Sequence, residues 1–158
     1  MRSFPITDLR PEDWPQVSLI YAQGIATGTA TFETTVPDWQ HWSAAHHPFC
    51  RLTAWSGTEL AGWAALSPIS SRPVYAGVAE VSIYVGESWR GRGVGRALLE
   101  HLILCSELHQ IWTLQASIFE KNDASLKLHL GCGFRSVGTR SRIAQLNGVW
   151  QNTVLLER

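Results

Sequence analysis

Apolar residues recur along the chain at two spacings, and the change from one spacing to the other predicts a succession of strands and helices. Every-second-residue patterns bounded by turn residues predict strands, whereas apolar residues three or four positions apart predict helices. The strand patterns cover residues 4–6, 50–55, 60–66, 79–85, 111–118, 134–145 and 149–156, and Asn147-Gly148 predicts a hairpin between the last two. The helical patterns cover residues 11–28 and 37–46, a segment that begins at residue 97, and residues 122–131. This order predicts an α+β fold with a mixed, mostly antiparallel sheet of about seven strands and four helices.

The segment of residues 79–100 combines a strand, a glycine-rich turn and a helix in immediate succession. Its strand places Ala79, Val81, Ile83 and Val85 on one face and ends at Gly86. The turn that follows consists of Arg90, Gly91, Arg92, Gly93, Val94, Gly95 and Arg96. Free amides at the start of the next helix, the helix dipole and the arginines together predict an anion site for a phosphate or pyrophosphate. The alternative is a turn that only joins two elements.

The spacing of the glycines excludes two common nucleotide-binding loops. No Lys-Ser or Lys-Thr follows the last glycine, as a Walker loop requires, and the three-glycine spacing of the Rossmann fold is absent. Arg90, Gly93 and Gly95 instead form an Arg-x-x-Gly-x-Gly pattern after a strand. This pattern resembles the acetyl-CoA signature of the GNAT N-acetyltransferases, and the resemblance extends over nearly the whole chain.

The GNAT resemblance implies both a fold and a co-substrate. In the GNAT fold, the strand with Glu80 and the strand that starts near Ile111 run parallel and splay apart, which leaves backbone groups free for the pantetheine arm of acetyl-CoA. Asn122 is the expected pantetheine contact at the start of the last helix, although it also fits a purely structural N-cap. The residues expected to contact acetyl-CoA are Ile83, Tyr84 and Val85 on the strand, Arg90, Gly91, Arg92, Gly93, Val94, Gly95 and Arg96 in the loop, and Asn122 and Ser125.

Composition and charge restrict the class of substrate. The 158 residues are 45% apolar and 16% charged, which is typical of one globular domain over residues 1–158. Thirteen basic residues balance thirteen acidic ones, so no basic field is expected to hold a nucleic acid or an anionic membrane. Residues 1–6 have no apolar signal core and no run is long enough to cross a bilayer, which predicts a cytoplasmic location. The expected substrate is therefore a small molecule.

The three cysteines, Cys50, Cys105 and Cys132, are scattered along the chain and odd in number. They lack CxxC spacing and partnered histidines, so packing thiols are expected rather than a disulfide framework or a zinc site, and no metal is predicted. No cysteine has an activating base beside it in sequence. Direct attack of the amine in a ternary complex is therefore favoured over a cysteine acyl-enzyme.

Acetyl transfer to an amine requires a base for the ammonium proton and a group that protonates or stabilises the departing sulfur. Glu80 lies shortly before the anion site and resembles the proposed base of the phosphinothricin acetyltransferase branch of the GNATs, where it acts directly or through water. Its alternative is a solvated strand glutamate. His129 falls where many GNATs place a tyrosine that protonates the thiolate, and a structural histidine is the alternative. A backbone amide of residues 83–85 is expected to stabilise the charged carbonyl oxygen.

Three further residues resemble the acceptor pocket of the same branch. Phe32 lies in the irregular loop of residues 29–34, which in that branch walls the pocket, and its alternative is an aromatic plug at the edge of the fold. Arg72 and Tyr75 precede the Glu80 strand, and an arginine can pair with the carboxylate of an amino acid. The branch implies phosphinothricin, methionine sulfoximine and methionine sulfone as substrates. Its members often have Trp-x-Asp near the C-terminus, where this chain has Asn152, a difference that bears on substrate preference.

Two other functions are compatible with the sequence. One is a GNAT that acetylates a protein N-terminus or an aminoglycoside, although the neutral charge disfavours the aminoglycoside. The other is a non-catalytic acyl-CoA sensor, against which the intact Glu80 argues. Eight tryptophans in a small chain, several outside the apolar patterns of the core, and the dimers usual in the branch predict a homodimer.

Overall fold

Seven strands form a single sheet in the computed structural model of the protein, which describes residues 3–158. The strands lie in the spatial order first, second, third, fourth, fifth, seventh, sixth, and only the fourth and fifth run parallel. This arrangement confirms the predicted mixed, mostly antiparallel sheet. The strands are β1 (Ile6–Asp8), β2 (Leu52–Ser56), β3 (Glu59–Pro68), β4 (Val78–Val85), β5 (Thr113–Phe119), β6 (Arg135–Leu146) and β7 (Val149–Glu157).

Four α-helices within residues 3–158 cover the sheet, which confirms the predicted α+β class. The helices are α1 (Trp14–Ala26), α2 (Trp39–Ala45), α3 (Val94–Leu108) and α4 (Asp123–Gly131). Apolar side chains of α1 and α2 belong to one core cluster, and those of α3 and α4 pack in another. No helix within residues 3–158 has both the length and the apolar character that are needed to span a bilayer.

The alternation of side chains along β3 explains why two core clusters form. Trp63 and Ala65 pack with α1 and α2 on one face of the sheet, whereas Ala64 and Leu66 pack with α3 on the other. All four side chains are fully buried. Burial of a side chain such as Leu66 contributes roughly 1.5–3 kcal/mol relative to its exposure. These contacts hold α3, and with it the glycine loop at its start, against the sheet.

Strands β4 and β5 are paired at one end only. Their parallel pairing covers three residue pairs and ends at Glu80 and Gln115. Within the described residues the two strands have no pairing beyond this point, although β4 continues to Val85 and β5 to Phe119. The other edge of β4 pairs with β3, and the other edge of β5 pairs with β7. Past Glu80 the facing edges therefore splay apart, as the GNAT resemblance implied.

Local turn chemistry explains where strands begin and end. Asn147 and Gly148 join β6 to β7 with φ angles of 49° and 79°, as a two-residue type I′ turn requires, and the predicted hairpin is confirmed. Strand β1 begins at Ile6 rather than at residue 4, because Pro5 has no N–H to donate to the ladder. The expectation that residues 1–6 lack a signal core falls partly on residues 1 and 2, which lie outside the described residues.

Two of the three cysteines are not isolated packing thiols. Cys50, which precedes β2, and Cys105 on α3 form a disulfide, and their Cα atoms are 5.7 Å apart. The expectation of unpaired cysteines is therefore wrong for this pair. The two residues are 55 positions apart in sequence, and only the packing of α3 against β2 brings them together. Cys132 is a half-buried free thiol.

Candidate active site

A cleft of about 310 Å³ lies in the opening between β4 and β5. Both strands line it, together with the loop that follows α1 and the first turns of α4. The cleft collects predicted site residues that are as far as 97 positions apart in sequence. These residues are Phe32, Glu80, Ile83, Tyr84, Asn122, Ser125 and His129.

The glycine loop leads from the end of β4 into α3 and leaves open space above its backbone. Gly91 and Gly93 have φ angles of 72° and 87°, a region that side chains other than glycine rarely adopt. A Cβ atom at either position would meet no described protein atom within 4 Å apart from its chain neighbours. Gly95 has a different role, since its Cβ would lie 3.2 Å from the Leu128 side chain of α4. The loop thus exposes its amides to a ligand while α3 and α4 pack closely.

Three exposed arginines surround this helix start. The Arg92 guanidinium lies 5.3 Å from the ring centre of Trp89. The Arg96 side chain donates from Nε to Glu100 Oε1 over 2.8 Å, one turn further along α3. Arg90 is the first residue of the loop and is also exposed. With the positive end of the helix dipole, these charges form a site that can bind a phosphate or pyrophosphate through backbone amides.

Glu80 lies where β4 and β5 separate. Its side chain is half-buried, and Oε1 accepts hydrogen bonds from Gln115 Nε2 over 3.2 Å and from Ser117 Oγ over 3.1 Å. Both donors belong to β5, so the opposite strand fixes the direction of the carboxylate. Within residues 3–158 no group donates a hydrogen bond to Oε2, and the carboxylate lines the cleft. This geometry suits a group that accepts a proton from a molecule in the cleft.

His129 is a buried imidazole on the α4 side of the cleft. Burial lowers the pKa of His129, and a hydrogen bond to the Ser125 backbone opposes this shift only in part. Nδ1 lies 2.8 Å from the carbonyl oxygen of Ser125, so the proton of the neutral ring is on Nδ1, where it can be donated. The Nε2 atom of this tautomer is an acceptor. The ring therefore has to gain a proton before it can give one to a thiolate.

Asn122 connects α4 to the loop that follows α1. Its Oδ1 accepts the backbone N–H of Ser125 over 3.2 Å, which makes it the N-cap of α4. Its Nδ2 donates to the carbonyl oxygen of Thr29 over 3.2 Å. The predicted N-cap role of Asn122 is therefore confirmed, and the residue also lines the cleft.

The wall opposite α4 is aromatic and acidic. The Phe32 ring packs on Phe119 with ring centres 4.6 Å apart, and Glu33 lines the cleft beside them. The Tyr84 ring stacks on Tyr21 and on Trp63, with ring centres 4.9 and 4.7 Å apart, and these two rings also contact each other at 5.5 Å. Burial, together with the neighbouring Tyr21, raises the pKa of Tyr84, so this phenol stays protonated.

Arg72 and Tyr75 are not among the residues that line the cleft. Both are exposed on the loop before β4, where the Arg72 guanidinium lies 5.5 Å from the ring centre of Tyr75. Val85 also lies outside the cleft lining, but its side chain is 3.6 Å from the position of a Cβ on Gly95. Val85 is therefore next to the glycine loop.

Sequence reasoning missed several residues of the cleft. Gln115 and Ser117 hold Glu80, Phe119 supports Phe32, and Glu33 contributes a second carboxylate. The β5 residues carry no motif, and their alternation in the strand pattern was the only signal available. Their relation to Glu80 depends on the pairing of β5 with β4, which periodicity alone does not specify.

Comparison with known proteins agrees with this arrangement. The profile of the Acetyltransferase (GNAT) family matches residues 7–134. A phosphinothricin N-acetyltransferase of Alcaligenes faecalis is 35% identical over 158 aligned positions, which cover 95% of this chain and 79% of that protein. An L-methionine sulfoximine/L-methionine sulfone acetyltransferase of Pseudomonas paraeruginosa is 28% identical over 98% of this chain and 94% of that protein. The crystal structure of a GNAT superfamily phosphinothricin acetyltransferase from Sinorhizobium meliloti in complex with AcCoA has a TM-score of 0.92 and 25% identity, covering 99% of this chain and 88% of that one. The chain therefore belongs to the GNAT acetyltransferase family.

Proposed function

We propose that this GNAT N-acetyltransferase transfers the acetyl group of acetyl-CoA directly to the amino group of a small amino-acid-like substrate. Phosphinothricin, methionine sulfoximine and methionine sulfone are the acceptors that the named relatives favour. One observation carries the proposal: the half-buried Glu80 lines the cleft where β4 and β5 separate, and the same strand β4 leads into the open glycine loop. A single catalytic domain over residues 1–158 would perform the whole reaction.

Acetyl-CoA would extend from the glycine loop into the cleft. Its pyrophosphate would bind the amides near Gly91 and Gly93, where no side chain occupies the space. The pantetheine arm would pair with the free backbone edge of Ile83 and Tyr84, next to Asn122 and its neighbour Ser125 on α4. The AcCoA complex of the Sinorhizobium meliloti relative supports this co-substrate.

Glu80 would act as the base. An acceptor ammonium loses one proton to the carboxylate, directly or through a water, and the free amine attacks the thioester carbon. The carbonyl oxygen gains negative charge, which a backbone amide of the 83–85 segment would stabilise. Hydrogen bonds from Gln115 and Ser117 keep the carboxylate in place throughout.

His129 would return a proton to the sulfur. After attack the acceptor nitrogen still carries a proton that must leave, and the departing thiolate needs one. The neutral imidazole of His129 has an acceptor at Nε2, because its Nδ1 proton is donated to Ser125. A transfer from the nitrogen to His129 and then to the thiolate balances the reaction, while the proton on Glu80 passes to solvent.

The acceptor would occupy the side of the cleft near Phe32. The Phe32–Phe119 pair offers an apolar surface for a short side chain, and the Glu33 carboxylate offers a partner for an ammonium group. Arg72 and Tyr75 remain our proposed contacts for the acceptor carboxylate, from the loop that leads into β4.

A panel of acceptors tests the function. The release of free thiol from acetyl-CoA would be measured with phosphinothricin, methionine sulfoximine, methionine sulfone, an aminoglycoside and a peptide with a free N-terminus. We expect the three amino-acid analogues to give the highest kcat/KM. Preference for the peptide or the aminoglycoside would contradict the substrate class. Thiol release with none of the five would favour the non-catalytic sensor.

We also infer that the protein is a homodimer. Trp112 and Trp150 are 64% and 52% exposed, and Leu108 is 80% exposed. Large apolar side chains at several exposed positions favour a surface that a second chain covers.

A further inference from the structure

Three side chains that bind soft metal ions converge at the end of α3 that is remote from the glycine loop. They are Cys50, Cys105 and His109, and their ligand atoms all lie within 4.8 Å of one another. Helix α3 has 15 residues and is therefore about 22 Å long, and the cluster lies at its C-terminal end, opposite the proposed phosphate site. The acetyl-transfer chemistry uses none of the three residues.

The distances from the His109 nitrogen to the two sulfurs match those between the ligands of a tetrahedral zinc ion. His109 Nδ1 is 3.6 Å from Cys50 Sγ and 3.7 Å from Cys105 Sγ. Zn–S bonds of about 2.3 Å and Zn–N bonds of about 2.0–2.1 Å at the tetrahedral angle place the sulfur and nitrogen atoms roughly 3.5–3.6 Å apart. The imidazole is therefore already at the correct separation from both sulfurs.

The fold holds these ligands on or next to regular elements. Cys105 belongs to α3, His109 directly follows the last residue of that helix, and Cys50 is buried two residues before β2. The His109 ring stacks on Phe49 with ring centres 4.7 Å apart and an angle of 6° between the planes. The Phe49 ring also stacks on His47, with ring centres 4.7 Å apart. This aromatic stack fixes the direction of the imidazole, as supporting contacts do in metal sites.

Solvent reaches the open side of the cluster. Cys105 lines a shallow groove with Asp8 and His101, and His109 is itself exposed. A water molecule can therefore supply the fourth ligand of a tetrahedral site. His109 Nδ1 also lies 2.9 Å from the carbonyl oxygen of Cys105, and metal binding would move the ring proton to Nε2 and replace that hydrogen bond.

The disulfide and a metal site exclude each other. Reduction of the Cys50–Cys105 bond by a dithiol takes up two electrons and two protons, and it yields two thiols and one oxidised dithiol. Zinc then displaces the two thiol protons as the two sulfurs separate to about 3.8 Å, the distance for two thiolates on one zinc ion. We propose that the reduced form of this chain binds one zinc ion through Cys50, Cys105 and His109. Exchange with an oxidised dithiol then re-forms the Cys50–Cys105 bond, returns the reduced dithiol with its two electrons and two protons, and releases the zinc ion.

Cobalt substitution tests the site in the full-length protein. Cobalt(II) added to the reduced chain should give a thiolate-to-cobalt charge-transfer band and the visible bands of a tetrahedral complex, with one cobalt per chain. Zinc should displace it, because N and S ligands bind zinc more tightly than cobalt. The oxidised wild-type chain should show neither band, and this comparison needs no substitution.

Variants identify the ligands. Cys105→Ser and His109→Phe should each weaken zinc binding in a chelator competition by more than the roughly 10- to 100-fold loss that follows removal of a supporting contact. Cys132→Ser is the matched control, because Cys132 is a free cysteine outside the cluster, and it should bind like the wild type. Circular dichroism would establish that each variant is folded. Equal binding by the oxidised chain, loss of binding in Cys132→Ser, or no charge-transfer band in the reduced wild type would each overturn the proposal.

Discussion

Glu80 is held by two hydrogen bonds from β5 and faces the cleft, so a change of one atom tests its role. Glu80→Gln keeps the shape of the side chain and removes its basicity. We expect kcat to fall by roughly 10²–10⁴, the usual contribution of a general base, while the affinity for acetyl-CoA stays near that of the wild type. Steady-state kinetics and calorimetry would measure the two quantities.

The pH profile separates a base from a positioning residue. The acidic limb of the wild-type profile should report the ionisation of the essential base or of the acceptor amine, and only that of the amine should remain in Glu80→Gln. Glu107→Gln is a suitable control, because Glu107 lies near the end of α3, far from the cleft, and its exposed carboxylate pairs with Arg158 at 3.4 Å. Wild-type turnover of Glu80→Gln at every pH would eliminate Glu80 as the base.

Arg72 is exposed and lies outside the lining of the cleft. Its substitution therefore tests acceptor recognition without changing a residue that lines the cleft. If its guanidinium binds the acceptor carboxylate, Arg72→Gln should raise KM for methionine sulfone by roughly 10- to 100-fold, because a charged hydrogen bond contributes about 1.5–3 kcal/mol. An analogue of the acceptor without its carboxylate should show no such increase. Equal losses for both acceptors, or none for either, would remove Arg72 from the acceptor site. The exposed Arg140 on β6 offers the control Arg140→Gln.

At the scale of elements, the start of α3 should make the protein respond selectively to acetyl-CoA. A ligand present at 100 times its Kd stabilises the native state by about 2.7 kcal/mol, which corresponds to a rise of roughly 5–10 °C in Tm for a chain of this size. ATP and NAD should produce no comparable shift. Equal shifts with all three ligands, measured by scanning fluorimetry, would contradict the assignment of the loop.

A matched pair of glycine variants tests the same loop. Gly93→Ala places a methyl group where the phosphates would approach, and Gly57→Ala places one in the turn between β2 and β3. The two positions have φ angles of 87° and 62° and no described protein atom near the added Cβ. Each variant should lose a similar stability of about 1–2 kcal/mol from left-handed strain. Only Gly93→Ala should lose the Tm shift with acetyl-CoA.

The elements that sequence patterns predicted are those whose signals are local. The alternation from Ala79 to Val85, the glycine loop and the Asn147-Gly148 turn each specify a conformation within a few residues, and the structure has all three. The splayed strands required more than periodicity, because an apolar alternation does not state which neighbour a strand pairs with. The GNAT resemblance supplied that part.

Contacts between distant segments could not be predicted from the patterns. The hydrogen bond from Ser117 to Glu80 depends on the register between β4 and β5. The disulfide of Cys50 and Cys105 depends on where α3 crosses the sheet. Neither contact changes the local spacing of apolar residues, so these contacts cannot be predicted from one sequence without an alignment.

For the whole molecule, the half-buried His46 and the buried His129 predict a loss of stability in mild acid. Burial lowers the pKa of His46, which stacks on Trp42, and the pKa of His129 beside the cleft. In the unfolded chain both side chains return to a pKa near 6.5. Between the lowered values and about 6.5 the unfolded state therefore binds more protons, and the free energy of unfolding falls as the pH decreases.

Urea denaturation between pH 7.5 and 5.5 would measure this loss. Stability should be nearly constant above about pH 7 and should then decrease by up to about 1.4 kcal/mol per pH unit for each histidine. His46→Gln and His129→Gln should each reduce the slope, whereas the control His101→Gln, at an exposed position on α3, should leave it unchanged. A slope that neither substitution alters would assign the acid sensitivity to other groups.

The exposed tryptophans predict that two chains assemble into a homodimer. Sedimentation equilibrium at micromolar concentration should give twice the chain mass of 17.6 kDa. A stable interface buries about 800 Å² on each partner, and a charge placed inside such a surface remains without a partner. Trp112 covers Gly77 at the start of β4, whereas Trp150 lies in the hairpin of β6 and β7, so the two side chains mark separate surfaces. Trp112→Glu and Trp150→Glu should therefore differ, and the variant that becomes monomeric identifies the surface that the partner covers. A wild-type monomer at this concentration would contradict the homodimer.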